Sequence, residues 1–183
     1  MNMRKLTHAQ IISRQKKKMK EEPIPFSVIL NNVRSLYNVG SIFRTADGVG
    51  VEKIFLCGIT GCPPHKQISK TALGAEGKVP WEYREDIICV IRELKAQGYQ
   101  IVLLEQIEGS VWYDEFEPQS PVCLVIGNEI TGVFEHIVDY CDAAIEIEMQ
   151  GLKNSLNVAV AFGIVAYHFR KCLKQKMTTL MIN

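Results

Sequence analysis

From residue 26 onward, short apolar runs alternate with longer stretches of mixed polarity. The runs at 26–30, 53–57, 100–104, 122–126 and 144–147 are brief, rich in β-branched residues and bounded by polar residues or glycine. Such runs predict strands buried on both faces, as in a parallel sheet. The segments between them predict helices over 41–48, 86–97, 132–140 and 154–174, with Gly98 standing where a helix commonly stops. Regular alternation of the two predicts an α/β domain, a mostly parallel sheet with helices on both faces. No internal repeat or low-complexity tract divides it. One domain is expected over 23–175, with a basic arm at 1–22 and a tail at 176–183.

Composition adds to this picture mainly through where the charges fall. The chain has 183 residues, 47% of them hydrophobic, enough for a full core and too apolar for a disordered chain. Lys and Arg number 21 against 20 Asp and Glu, so the whole is not a polycation built to coat nucleic acid. Residues 1–22 nevertheless carry seven basic and two acidic residues, and 170–183 carry four and none. The body between them holds 10 basic and 18 acidic residues, a net −8. The arm is expected to be helical from Thr7 until Pro23, either as a solvated extension or as an RNA-touching or dimer-stabilising element.

The longest apolar stretch, 156–167, is too short for a membrane span, and the first residues lack the apolar centre of a secretory signal. A cytoplasmic protein with no membrane contact is expected. The six cysteines (57, 62, 89, 123, 141 and 172) are scattered mostly in apolar runs and read as reduced core thiols.

Several chemistries are missing. There is no G-x-G-x-x-G after the first run and no G-x-x-x-x-G-K-[ST], so neither common phosphate cradle is present. No G-x-S-x-G elbow marks a serine nucleophile. Cys57, Cys62 and His65 have partial zinc-ligand spacing but lack an evident fourth ligand, and no metal is expected.

Three polar clusters remain, each at the end of an apolar run, where open α/β sheets assemble their sites. The first runs from Asn31 to Ala46 and contains Asn32, Asn38, Gly40 and Arg44. With a helix at 41–48, Arg44 lies one turn inside it beside Gly40; a surface Arg in a capped helix would look the same. The second, from Val125 to Gly132, puts Glu129 beyond a strand between Gly127 and Gly132, and a plain turn with Thr131 as N-cap would also fit. The third, from Ile147 to Asn157, opens the last helix, with Asn154 or Ser155 as its cap and Asn157 left without a local explanation.

In this order and spacing the clusters, written N-x-G-x-x-x-R-T-A, I-G-N-E-x-x-G and S-L-N before a small-residue helix, resemble the SpoU or TrmH-like branch of the SPOUT superfamily. These are S-adenosylmethionine-dependent RNA ribose 2′-O-methyltransferases. The resemblance spans about residues 26–172, and the stretch K-T-A-L-G-A-E at 70–76 is similar to that family's connecting segment. It implies a sheet whose C-terminal part is threaded into a trefoil knot, a device nearly absent elsewhere. It also implies a homodimer with the site near the subunit interface. S-adenosyl-L-methionine would be held by Leu104, Gly127, Ile147, Met149, Ser155 and Leu156. Ala159, Gly163 and Ala166 offer a close-packing face for a second subunit or, equally, for the sheet.

By the same resemblance Arg44 activates the ribose hydroxyl, Asn38 orients it, Ser155 and Asn157 hold the nucleotide or the cofactor loop, and Glu129 shapes the pocket; Asn32 is a further candidate. A guanidinium is a poor free base, so gripping the neighbouring phosphate and stabilising the developing alkoxide is an equally physical role for Arg44. The RNA expected first is tRNA and second rRNA, contacted through the arm, the tail and the cleft. A fold kept for RNA binding without catalysis would require a damaged site. An unrelated small-molecule enzyme would bind a metabolite unlike methionine.

Overall fold

Seven strands, all in parallel register, form one sheet in the computed structural model of the chain, which describes residues 3–18, 24–128 and 132–180. They are β1 (Phe26–Asn31), β2 (Lys53–Cys57), β3 (Trp81–Arg84), β4 (Gln100–Leu104), β5 (Val111–Trp112), β6 (Val122–Ile126) and β7 (Ala143–Glu146). Their order across the sheet is β3-β2-β1-β6-β4-β7-β5. Leu30 pairs with both Leu56 and Ile126, and Leu104 with both Ile126 and Ile145. The carboxyl ends of the central strands are thus level, and the loops that follow them leave from one edge.

Both faces of the sheet are covered. On one face Val28, Leu30, Leu56 and Ile126 meet Ile42 and Phe43 of α2 (Leu36–Val49) and Phe162 and Phe169 of α6 (Val158–Leu180), all buried. On the other, Ile29, Phe55, Leu103 and Val125 meet Val90, Ile91 and Leu94 of α4 (Ile87–Ala96) and Ile137 of α5 (Glu135–Val138). Neighbouring strand residues point to opposite faces, so strands covered on both sides read as unbroken apolar runs. The five expected strands are all present for this reason. The two unforeseen ones lack the signal: β3 is half-buried and β5 is a pair of exposed residues at the sheet edge.

The helices depart further from the sequence expectation. α2 begins at Leu36, not at 41, because the Ser35 Oγ accepts from the Asn38 backbone N–H at 3.3 Å and caps it there. It ends at Gly50, whose φ of 81° suits glycine. Asp86 caps α4 through Ile88 N–H at 2.8 Å. α5 covers only part of the expected 132–140, and α6 starts at 158, not 154, and continues to Leu180. A further helix, α3 (Lys66–Ala72), escapes the pattern because it buries only Ile68 and Ala72. The arm is helical as α1 (His8–Lys18); arm residues 1–2 and 19–22 lie outside the described part.

The thiols are all free, but Cys89 is exposed and donates to Asp86 Oδ2 at 3.2 Å, so it is not the core residue expected. No described helix is long and apolar enough to cross a membrane.

α2 and α3 approach most closely at Gly40, where a Cβ would collide with Thr71 Oγ1 and the Ile68 carbonyl. Gly40→Ala is therefore expected to lower stability by about 1–3 kcal/mol in urea unfolding. Gly77→Ala, whose Cβ would meet open space, is expected to change it by less than about 0.5 kcal/mol. Equal midpoints for the two variants would contradict the close α2–α3 contact.

Candidate active site

A cleft of about 450 Å³ opens at the carboxyl edge of β4, β6 and β7, between their loops and the start of α6. The crevice beyond the carboxyl ends of parallel strands is where such sheets bind ligands. Leu104, Ile126, Ile147 and Leu156 give it apolar walls, while Glu105, Gln106, Asn128, Asn154 and Ser155 give it a polar rim. Walls of one kind and a rim of the other suit a nucleoside-sized ligand with a flat ring and a hydroxylated tail. Leu104, Gly127, Ile147, Met149, Ser155 and Leu156, the six residues expected to hold a ligand, all line it.

The loops around the cleft are tied to one another. After β6 the chain turns back on itself: Asn128 N–H donates to the Gly132 carbonyl at 3.2 Å and Gly132 N–H to the Asn128 carbonyl at 3.0 Å. A Cβ at Gly127 would lie 2.6 Å from Val133 Cγ2, so the turn closes tightly only over glycine. Glu105 braces the turn from β4, its Oε2 accepting from Val133 N–H at 3.2 Å. The next residue reaches the third loop, with Gln106 Nε2 donating to the Asn154 carbonyl at 2.9 Å. Below the rim, Ser110 Oγ donates to Glu146 Oε1 at 2.6 Å.

Asn32 links the loops after β1, β2 and β6. Its φ of 59° is one that asparagine tolerates, its Oδ1 accepts from Ile59 N–H at 3.1 Å, and its carbonyl accepts from Asn128 Nδ2 at 3.0 Å. The side chain proposed as a further site residue is thus engaged in holding loops together.

Asn157 caps α6, a place the sequence reading gave to Asn154 or Ser155. Its Oδ1 accepts from Ala159 N–H at 3.0 Å and from Val160 N–H at 3.4 Å. The other half of the amide donates from Nδ2 to Asn38 Oδ1 at 3.1 Å, joining the loop after β7 to the first turn of α2. Asn38 and Asn157 are therefore joined beside the cleft, whose wall includes Ser155, Leu156 and Val158.

Arg44 does not join them within the chain. It lies six residues after Asn38 on α2, about 120° around the helix, and is exposed with no hydrogen-bond or ion-pair partner among the described residues. Beside Gly40 it stands as expected, though in the third turn of a longer helix. Glu129 and Thr131 lie outside the described residues.

Of the small residues of α6, Ala166 is fully buried, whereas Ala159 and Gly163 are half-buried, a Cβ at Gly163 lying in ordinary contact with Thr45 of α2. Val160 and Tyr167, 51% and 55% exposed, look outward. Nor are the three zinc candidates gathered as a site. The Cys57 thiol is buried and pushed up to about 12, mainly by that burial, and His65 Nδ1 accepts from Gln67 N–H at 3.2 Å to cap α3.

Sequence reasoning missed Glu105 and Gln106 as parts of the site, and gave Asn128 and Asn154, though inside its clusters, no role at the cleft. The available signal was a pair of polar residues directly after the apolar run of β4, the same signature that marked the other two loops.

Comparison with known proteins gives a consistent result. The SpoU rRNA Methylase family matches residues 25–167. The tRNA (guanosine(18)-2′-O)-methyltransferase of Aquifex aeolicus is 32% identical over 155 residues, 81% of this chain and 70% of that protein. The crystal structure of the A. aeolicus TrmH/SpoU tRNA modifying enzyme aligns with a TM-score of 0.79 at 30% identity, covering 92% of this chain and 85% of that one. An AdoMet-bound rRNA methyltransferase from Sinorhizobium meliloti aligns with a TM-score of 0.75 at 30% identity, covering 83% of this chain and 61% of that one. The chain thus spans less than two thirds of the Sinorhizobium protein.

The two roles of Asn157 can be separated. Asn157→Ala is expected to lose about 1 kcal/mol of stability, whereas Asn157→Asp, an equally good cap, stays within about 0.5 kcal/mol of the parent. Thermal or urea unfolding of both variants reads this out. An alanine variant as stable as the parent would show that the cap lies elsewhere.

Proposed function

The chain belongs to the SpoU rRNA methylase family, and on that premise we propose that it methylates a ribose 2′-hydroxyl of RNA from S-adenosyl-L-methionine, tRNA being the first target and rRNA the second. The observation that carries this reading is the convergence in one cleft of Leu104, Gly127, Ile147, Met149, Ser155 and Leu156, which come from three separate loops. The chemistry of the lining fits the donor. The apolar walls take a purine face, the backbone near Gly127 and Met149 offers hydrogen bonds to its edge, and the Glu105 and Glu146 carboxylates suit hydroxyls and positive charge. When bound, the donor supplies a methyl group on a positively charged sulfur, open to an oxygen nucleophile.

The residues of the chain act on the hydroxyl. A ribose 2′-hydroxyl is a weak nucleophile until it is aligned and its proton is leaving. Asn38, held by Asn157 at 3.1 Å, orients it, and Ser155 holds the nucleotide at the cleft wall; the family resemblance gives Glu129, outside the described residues, the shaping of the pocket. Arg44 has no carboxylate partner among the described residues, which favours the role of a water-facing cation that grips the adjacent phosphate in bidentate fashion and stabilises the developing alkoxide. The proton then passes to a phosphate oxygen or to water.

The protein works as a homodimer, and Arg44 acts at the cleft of a second copy. Two features support this: Arg44 stands outside its own chain's cleft, and Val160 and Tyr167 leave an apolar strip exposed on α6. The C-terminal part is knotted as in the family, supported by a strand order in which β4 lies between β6 and β7, both later in the chain. The basic arm adds phosphate contacts, and an RNA substrate fits a cytoplasmic location.

Transfer of labelled methyl to unmodified tRNA and to rRNA, followed by mapping of the modified ribose, tests the reading. Label on a 2′-oxygen supports it; label on a base, or none on either RNA, contradicts it. Arg44→Ala is expected to lower the rate by about 100-fold or more while leaving affinity for S-adenosylhomocysteine within about threefold. Co-expression of Arg44→Ala with the cleft-filling Leu156→Trp is expected to restore activity that neither variant has alone. An inactive mixture containing the heterodimer would place Arg44 and its cleft in one subunit.

A further inference from the structure

The exposed surface formed by α2, α3 and the loops before them carries a charge opposite to that of the rest of the body. Residues 33–46 and 59–73 contain Arg34, Arg44, Lys66 and Lys70 and no Asp or Glu, although 18 acidic residues lie between 23 and 169. All four cations are exposed. Asp47, exposed in the last turn of α2, is the one acidic residue of the two helices, and Glu76 follows α3.

An aromatic ring stands among these cations. Tyr37, in the first turn of α2, is 42% exposed, and Lys70 Nζ lies 5.8 Å from its ring centroid. Seven residues separate Tyr37 from Arg44, which places both on one face of the helix. The ring and the ammonium are set by backbone contacts: Thr71 Oγ1 donates to the Tyr37 carbonyl at 2.9 Å, and the Gly40 approach fixes α3 against α2. The next residue, Asn38, points about 100° around the helix from Tyr37 and is hydrogen-bonded to Asn157, which stands between the cleft-lining Leu156 and Val158. A strand resting on Tyr37 thus needs to pass only part of the way around the first turn of α2 to reach the cleft.

We infer that this face holds the single-stranded RNA beside the methylated nucleotide: a flanking base stacks on Tyr37, and Lys70, Lys66 and Arg34 contact the phosphates around it. The inference rests on the RNA methyltransferase reading of the cleft and adds where the strand runs outside it and what holds it. Stacking on an aromatic ring tolerates any base, and a nearby cation strengthens it, so such a platform secures the strand without reading its sequence. Phosphate contacts fix position in the same way. The acidic remainder of the body repels RNA and leaves this face as the path to the cleft.

The test uses the full chain and two readouts, methyl transfer to unmodified total RNA and binding of a short fluorescein-labelled single-stranded oligoribonucleotide of mixed sequence. Tyr37→Ala is expected to weaken oligonucleotide binding and raise the KM for RNA by roughly 5- to 150-fold, with Tyr37→Phe close to the parent and affinity for S-adenosylhomocysteine unchanged in both. Lys70→Ala, at an exposed position that does not risk the fold, is expected to flatten the salt dependence of binding by about 0.7 in log–log slope. If the parent methylates RNA while both alanine variants keep its KM and salt slope, the platform is wrong and the methyltransferase reading stands. A change in oligomeric state in place of RNA affinity would likewise overturn it, by assigning the face to a second copy of the chain. A parent that binds S-adenosylhomocysteine but neither binds nor methylates RNA would remove both.

Discussion

The peptide groups at the carboxyl ends of parallel strands have lost their ladder partners, and the structure depends on where those groups and their neighbours find replacements. Level registers bring the ends of β1, β2, β4, β6 and β7 to one edge, so the replacements come from adjoining loops. Glu105 takes Val133 N–H, Gln106 reaches the Asn154 carbonyl, Asn128 reaches the Asn32 carbonyl, and Asn157 reaches Asn38. Each bond alone contributes about 0.5–1.5 kcal/mol. Together they define the walls of a cleft whose residues lie up to 57 positions apart, from Leu104 to Ala161.

This bonding gives the same few polar residues a structural task as well as a place in or beside the proposed site. Asn157 satisfies the first turn of α6 with its oxygen and holds Asn38 with its nitrogen, so a catalytic candidate is oriented by a helix cap. Gly127 and Gly132 allow the turn after β6 to fold against Glu105 and Val133, and that turn is one wall of the donor cleft. Arg44 is the exception: among the described residues it has no such tie and is exposed on α2, as the proposed contact with RNA at a second subunit requires.

The extent to which the sequence revealed all this follows from burial. Strands covered on both faces leave unbroken β-branched runs, and five of them were readable; β3 and β5, partly or wholly exposed, leave no such trace. The true start of α2 hinges on one Ser35 hydroxyl, which the stronger polar signal of the surrounding cluster conceals. The cap of α6 was assigned to the nearer Asn154 or Ser155 because a side chain that caps with one atom and bridges with another looks, in sequence, like a helix residue without a reason. The three motifs located the cleft, but Glu105 and Gln106 find their partners 28 and 48 positions away, a pairing that only the fold discloses.

Hydrogen–deuterium exchange with and without S-adenosylhomocysteine tests most directly whether these three tied loops are the donor site. The account predicts slowed exchange in the segments 104–106, 127–133 and 147–157, with α3 and α4 unaffected. Protection centred elsewhere on the sheet, or no protection at saturating ligand, would contradict it.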